Sequence, residues 1–236
     1  VWSNWTEFKK KIMINSIPIS EIKSITPQFI MVGEEVSFSG AGYDDGEVVR
    51  YVWSSSIDGE IYNGTDPSFK TSNLSVGRHT IYFKVQDNYG AWSKAEKDYV
   101  VVNQKPRAVI TSITPTSALV GDRIYFSGYG IDDGEIVRYR WYSSIDKEIY
   151  SGQTANFSTT SLSPGNHTIW LMVKDNYGTW SNGTVWNKNL SINQIPLAFI
   201  DEVSPNPASY RHEVLFKAHG LDNSGICRYV WTSSLD

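Results

Sequence analysis

The sequence is nearly devoid of cysteine. Cys227 stands alone among 236 residues, so the chain has neither an internal disulfide framework nor a cysteine-based zinc site. Charge of either sign is also sparse. The 21 Lys and Arg nearly balance the 25 Asp and Glu, leaving a formal charge of −4, and no basic run exceeds Lys9-Lys10-Lys11. That pattern lacks the electrostatic footprint of a nucleic-acid binder. Long apolar runs are missing as well: Phe29 to Val32 and Tyr99 to Val102 fall far short of the roughly 20 residues that cross a bilayer as a helix. Neither nucleic acid nor a membrane-spanning segment is therefore expected.

What is present is a foldable, aromatic-rich chain. Hydrophobic residues make up 40% and aromatics 14%, which excludes a disordered or collagen-like polymer, and the length allows one to two typical domains. Seven Asn-x-Ser/Thr sequons occur, at Asn4, Asn63, Asn73, Asn156, Asn166, Asn182 and Asn189, where about three are expected by chance. This excess points to a glycosylated extracellular surface. The other explanation is that Asn, Ser, Thr and Gly are simply the turn residues of a β-rich chain.

Internal repetition organises the rest. Gly33, Asp44, Trp53, Tyr62, Gly77, His79, Asp87, Gly90 and Trp92 recur 88 residues on as Gly121, Asp132, Trp141, Tyr150, Gly165, His167, Asp175, Gly178 and Trp180, and more than half of residues 18 to 93 are identical in the two copies. A third copy starts at Pro196 and reaches Trp231 before the sequence stops, and Val1 to Asn4 match Thr179 to Asn182. The expected organisation is a tail of a preceding repeat at 1–16, full repeats at 17–104 and 105–194, and the first half of another at 195–236. Each boundary is a short polar step ending in proline: Asn15 to Pro18, Asn103 to Pro106 and Asn193 to Pro196. Such junctions predict a semi-rigid string. The incomplete ends point to a longer native chain, with strand exchange between chains in a head-to-tail fibre as the alternative.

Within a repeat the period is two. Val49, Tyr51 and Trp53 share one strand face, as do Val137, Tyr139, Trp141 and Cys227, Tyr229, Trp231, and these stripes are the expected cores. Turn clusters such as Asp44-Asp45-Gly46 and Asp87-Asn88-Tyr89-Gly90 separate the strands, which argues an antiparallel sandwich per repeat. The run Ser39 to Trp53, together with Gly77 to Gly90, resembles the PKD domain, an immunoglobulin-like β-sandwich found in tandem on microbial and archaeal surface proteins and beside secreted hydrolases. The resemblance implies an all-β fold of tandem sandwiches. Two features depart from the family. Only Asp58-Gly59 remains of a Gly-Asp-Gly after the tryptophan, and Tyr43, Ile131 and Leu221 replace the family's first turn aspartate, which puts an inherited metal site in doubt.

The residues that bear chemistry are few. Asp44, Asp45 and Glu47, with Asp87, and their counterparts Asp132, Asp133, Glu135 and Asp175 offer oxygens to calcium if the two loops meet at one end of the sandwich; calcium takes six to eight oxygens. Asp-Gly is equally ordinary turn chemistry. His79 and His167 fall on a core face without ligand-spaced neighbours and read as hydrogen-bonded packing residues. Cys227 occupies a valine position and reads as a small buried hydrophobe. No nucleophile elbow, phosphate loop or zincin motif is present, so a non-enzymatic role is expected: a structural and adhesive spacer of a larger surface-layer, matrix or filament protein. Its partners would be neighbouring surface-protein chains, copies of itself, or glycans. The alternative is a carbohydrate-binding accessory module of a secreted hydrolase, which would present an exposed planar row of Trp and Tyr.

Overall fold

The computed structural model describes residues 13–234. Asn4 and most of the 1–16 tail lie outside them. The described chain is built of strands and turns and splits into two compact units, Val1–Gln104 and Lys105–Asp236.

In the first unit eight strands follow one another: β1 (Ile19–Thr26), β2 (Phe29–Met31), β3 (Val36–Tyr43), β4 (Val48–Ser55), β5 (Gly59–Gly64), β6 (Ser68–Thr71), β7 (Gly77–Asp87) and β8 (Glu96–Asn103). They form two sheets, β1-β3-β6 and β2-β8-β7-β4-β5. Alternation dictates which residues meet between the sheets: along β7, His79, Ile81, Phe83, Val85 and Asp87 are buried while the residues between them reach outward. Trp53 is fully buried at the centre. Its ring stacks on Phe83 at 4.1 Å and meets Phe38 edge-on at 5.4 Å, and its indole N–H donates to the Pro67 carbonyl at 3.2 Å. Tyr51 is half-buried beside this core.

The second unit repeats the plan with β9 (Arg107–Thr114), β10 (Ser117–Leu119), β11 (Ile124–Ile131), β12 (Ile136–Ser143), β13 (Lys147–Gly152), β14 (Phe157–Thr159), β15 (Gly165–His167), β16 (Ile169–Asp175), β17 (Thr184–Val185) and β18 (Leu190–Asn193). The sheets are β14-β11-β9, β13-β12-β16-β17 and β10-β18-β15. The counterpart of β8 is broken into β17 and β18, and the sequence says why. Trp92 and Trp180 are 88 positions apart but Asn103 and Asn193 are 90 apart, so two extra residues must bulge out of that strand. Trp141 is fully buried, Tyr139 is half-buried beside it, and the Trp141 N–H donates to the Ala155 carbonyl at 2.8 Å.

The structure corrects three expectations. Val49 and Val137 are 38% and 40% exposed, because a bulge between Val48 and Arg50, and between Ile136 and Arg138, shifts the register and turns Val48 and Ile136 toward the core instead. In the third copy β19 (Leu197–Ser204) and β20 (Leu215–Leu221) form a two-stranded antiparallel hairpin, and residues 226–233 form no strand. Tyr229 and Trp231, expected in a core, are 52% and 46% exposed. Cys227 is exposed too. The reason is topological: among the described residues this hairpin has no counterpart of the β7–β8 layer that covers Trp53.

Candidate functional site

Three sets of polar or aromatic residues recur in both units. The first is the acidic end. The Asp44–Glu47 turn and the Asp87–Gly90 turn lie side by side, with Asn88 N–H donating to the Glu47 carbonyl at 2.9 Å; Asn176 and Glu135 repeat the contact at 2.9 Å. The two loops thus meet as a calcium set would require. Their carboxylates, however, are largely spent on backbone. Asp44 Oδ2 accepts from Gly46 N–H at 2.9 Å and Asp132 Oδ2 from Gly134 N–H at 3.1 Å. Asp87 Oδ1 accepts from Tyr89 and Ala91 N–H at 2.9 and 2.8 Å, and Asp175 Oδ1 from Thr179 N–H at 2.7 Å. Asp45, Glu47, Asp133 and Glu135 are exposed. In each turn one oxygen is buried without a hydrogen bond: Asp44 Oδ1, Asp132 Oδ1 and, in the third copy, Asp222 Oδ1.

Electrostatics follow from these contacts. Burial raises the Asp132 carboxyl above the ordinary aspartate value, with Asp133 and Asp175 adding repulsion. Asp87 is lowered, chiefly by the Asn15 side chain and then by the amides of Ala91, Tyr89 and Gly90. Among the described residues no group of three or more His, Cys, Asp or Glu is placed to hold a metal ion, and calcium takes six to eight oxygens.

The second set places Ser, His and Asp together twice. Ser55 Oγ lies 2.6 Å from His79 Nδ1, and Ser143 Oγ 2.7 Å from His167 Nδ1. Asp58 and Asp146 carboxylates stand 3.5 and 3.6 Å from the same ring nitrogens. The composition is that of a hydrolytic triad, but the wiring is not. A triad needs the acid on one ring nitrogen and the hydroxyl on the other; here both face Nδ1, while Nε2 points 2.7 Å from the Ser75 or Ser163 carbonyl. Nε2 therefore carries the proton, and the serine hydroxyl donates to Nδ1 while accepting from the amides of the following turn at 3.0 to 3.2 Å. Ser55, His79, Ser143 and His167 are all buried. This is a brace that pins a turn to a strand.

The third set is the outer face of the larger sheet. In the second unit the Arg140 guanidinium lies 4.6 Å and the Lys174 ammonium 5.8 Å from the Trp180 ring centre, and Tyr142 stacks on Trp170 at 5.6 Å. The aromatic faces are occupied by cations and by each other, unlike an open row for sugar rings. In the first unit Arg50 stands 5.9 Å over Trp92, and a groove of about 380 Å³ opens between Arg50, Val52, Glu60, Asn63, Lys84 and Trp92. Sequence reasoning did not find this groove, although one difference between the copies, Val52 against Arg140, signals it.

All six described sequon asparagines, Asn63, Asn73, Asn156, Asn166, Asn182 and Asn189, are exposed. Among the described residues no helix is long and apolar enough to cross a membrane.

Comparison with known proteins places this geometry in context. The PKD domain family matches residues 22–101 and 108–186. The rat dyslexia-associated protein KIAA0319 homolog is 28% identical over 210 residues, covering 80% of this chain and 18% of that protein. Collagenase ColA of Clostridium perfringens is 30% identical over 114 residues, covering 48% of this chain and 10% of the enzyme. Among solved structures, an I-band fragment of titin superposes with a TM-score of 0.49 at 14% identity, covering 89% of this chain and 77% of the fragment. The chain thus spans a fifth or less of the length of these two curated relatives.

Proposed function

Because the chain belongs to the PKD domain family, whose sandwiches are generally non-catalytic modules, we propose that it is a non-enzymatic extracellular spacer of a larger surface-layer, matrix or filament protein. Its partners are neighbouring surface-protein chains or further copies of itself. The observation that carries this reading is the way polar junction residues latch onto the repeat that follows. In the first unit Asn15 Nδ2 donates to Asp87 Oδ2 at 2.7 Å. In the second, Gln194 N–H donates to Asn223 Oδ1 at 2.8 Å, Asn223 Nδ2 to the Ile192 carbonyl at 3.2 Å, and Ser224 Oγ to Asn193 Oδ1 at 2.8 Å. Each latch joins the end of one repeat to the acidic turns of the next, and proline at Pro18 and Pro196 restricts the backbone beside it. Latches of this kind tie the end of one repeat to the next, as a spacer requires.

The exposed sequons support an extracellular setting. The covered Trp180 and paired Trp170 weigh against the carbohydrate-binding alternative. The decisive experiment pairs two measurements on the full chain. Sedimentation with a panel of insoluble polysaccharides is expected to retain none of it. Small-angle scattering of an Asn193→Ala, Asn223→Ala variant is expected to show a broader distance distribution than the parent. Retention on a polysaccharide that is lost in Trp170→Ala would replace the spacer with the accessory module, and an unchanged distribution would remove the latch.

A further inference from the structure

The groove beside Trp92 exists because the two copies differ at paired positions. In the second copy the position of Val52 is held by Arg140, whose guanidinium covers the tryptophan, and the position of Asn63 is held by Ser151. In the first copy valine cannot cover the indole; Arg50 stands 5.9 Å from its ring centre, and Trp92 is left 39% exposed beside a hollow that the valine side chain helps to line. At the rim of that hollow stands a sequon, Asn63-Gly64-Thr65.

The register sets the geometry. β5 is the edge strand of its sheet, and Asn63 lies opposite Val52, which in turn lies opposite Lys84. These three side chains form one outward row. The Asn63 amide is already oriented: its Oδ1 accepts from Arg50 Nε at 2.7 Å, and its Nδ2 donates to Glu60 Oε1 at 3.1 Å. The nitrogen that a glycan would use is thus held at the mouth of the groove. A glycosylated amide keeps one N–H, which suffices for the Glu60 contact.

We propose that Asn63 is an N-glycosylation site whose first sugar, an N-linked hexosamine or hexose, lies in this groove with its apolar C–H face on the Trp92 indole. Arg50, Lys84 and Glu60 supply hydrogen bonds to its hydroxyl or acetamido groups. In the modifying step Nδ2 attacks C1 of a lipid-linked oligosaccharide. The N–C1 bond forms as the C1–O bond to the polyprenyl (di)phosphate breaks, the phosphate oxygen leaves with the electron pair, and the amide proton passes to the oligosaccharyltransferase base. The site takes a sugar because it combines an acceptor amide, an indole left partly exposed beside Arg50 and flanking charged hydrogen-bonding groups, a combination that the second copy, with Ser151 in place of the asparagine, lacks. The proposal rests on the extracellular reading above.

The test is expression of the full chain in a secreting host with an asparagine oligosaccharyltransferase, followed by glycopeptide mass spectrometry and hydroxyl-radical footprinting. Asn63 is expected to be occupied, and oxidation of Trp92 to fall roughly threefold relative to Asn63→Gln as the sugar covers the ring, with Trp180 unchanged as an internal reference. A secreted chain that is bare at Asn63 overturns the proposal: glycans at other sequons would leave the extracellular reading standing, and none at any sequon would count against both. Occupancy at Asn63 with Trp92 oxidised as fast as in Asn63→Gln overturns the stacking, because the glycan then extends into solvent.

Discussion

Replacing Ser143 by alanine isolates the buried brace from the packing around it. Ser143 and His167 are 0% and 1% exposed, so water cannot take the place of the lost hydroxyl. His167 Nδ1 is left without its donor, since Asp146 Oδ2 at 3.6 Å is itself an acceptor and already takes the Ser163 amide at 3.1 Å. An unsatisfied buried acceptor costs about 1–3 kcal/mol, and the Ile145 and Asp146 amides, part-buried in the turn, lose roughly 0.5 kcal/mol each. The sum is about 2–4 kcal/mol against the second unit alone. The indole N–H of Trp141, buried and bonded to Ala155, exchanges with solvent only when that core opens. Its exchange should quicken by roughly 30-fold to several hundred-fold, at about 1.4 kcal/mol per factor of ten, while the Trp53 N–H of the other unit keeps its rate. Adding His167→Leu removes the orphaned acceptor, so the double variant should lose less than the two single variants together. A Ser143→Ala variant with unchanged Trp141 exchange, or strict additivity in the double, would show that the hydroxyl and the imidazole do not depend on each other.

Three further outcomes are expected. Trp53→Ala or Trp141→Ala should destabilise its own unit by about 3–5 kcal/mol in urea unfolding, as for large aromatics in other cores, and a loss below half of that would mean the indole is not what fills the space between the sheets. Asn15→Ala removes the largest cause of the depressed Asp87 carboxyl; because a folded value below the unfolded one lends stability above about pH 4 that is lost as pH falls through the folded value, the variant's Asp87 titration by NMR should move upward and the acid loss of stability should shrink, and an unmoved titration would sever Asn15 from that carboxylate. Calcium at the acidic turns is expected to bind weakly, through Asp44 Oδ1 and Asp132 Oδ1 with water filling most of the sphere; calorimetry giving equal heats for the parent and an Asp44→Ala, Asp132→Ala variant would take those turns out of the site.

Much of this fold was legible because repetition doubled every signal. A period of two, turn clusters at fixed offsets and identical residues in two copies located the sandwiches and the tryptophans at their centres. What the pattern did not disclose was local slippage. Val49 alternates correctly with Tyr51, yet one bulge before Arg50 moves it to the solvent side, and periodicity has no term for an extra residue in a ladder. Tyr229 and Trp231 carry the same letters as Tyr51 and Trp53, but burial belongs to what covers a residue, and the covering strands come from elsewhere in the repeat. The braces were half visible: His79 and His167 stood out as core-facing, whereas their serine partners lie 24 positions away in sequence and no spacing rule pairs them.

The differences between the copies carry more functional information than the identities. Residues that recur at matched positions, such as the brace, the turn aspartates and the core tryptophan, are each explained by what they hold together within one sandwich. A site that acts outward must escape that explanation, and the outer sheet face is where it happens. There Arg140 lies over Trp180, while Val52 and Asn63 line a groove beside Trp92, with an acceptor amide at its rim. Three differences in one cross-strand row, Val52 against Arg140, Asn63 against Ser151 and Lys84 against Met172, alter what the surface can bind at little cost to the fold, because these side chains stay out of the packing between the sheets. The scaffold is thus duplicated while its outward chemistry is free to diverge, which is how a tandem array can present a different contact from each of its modules.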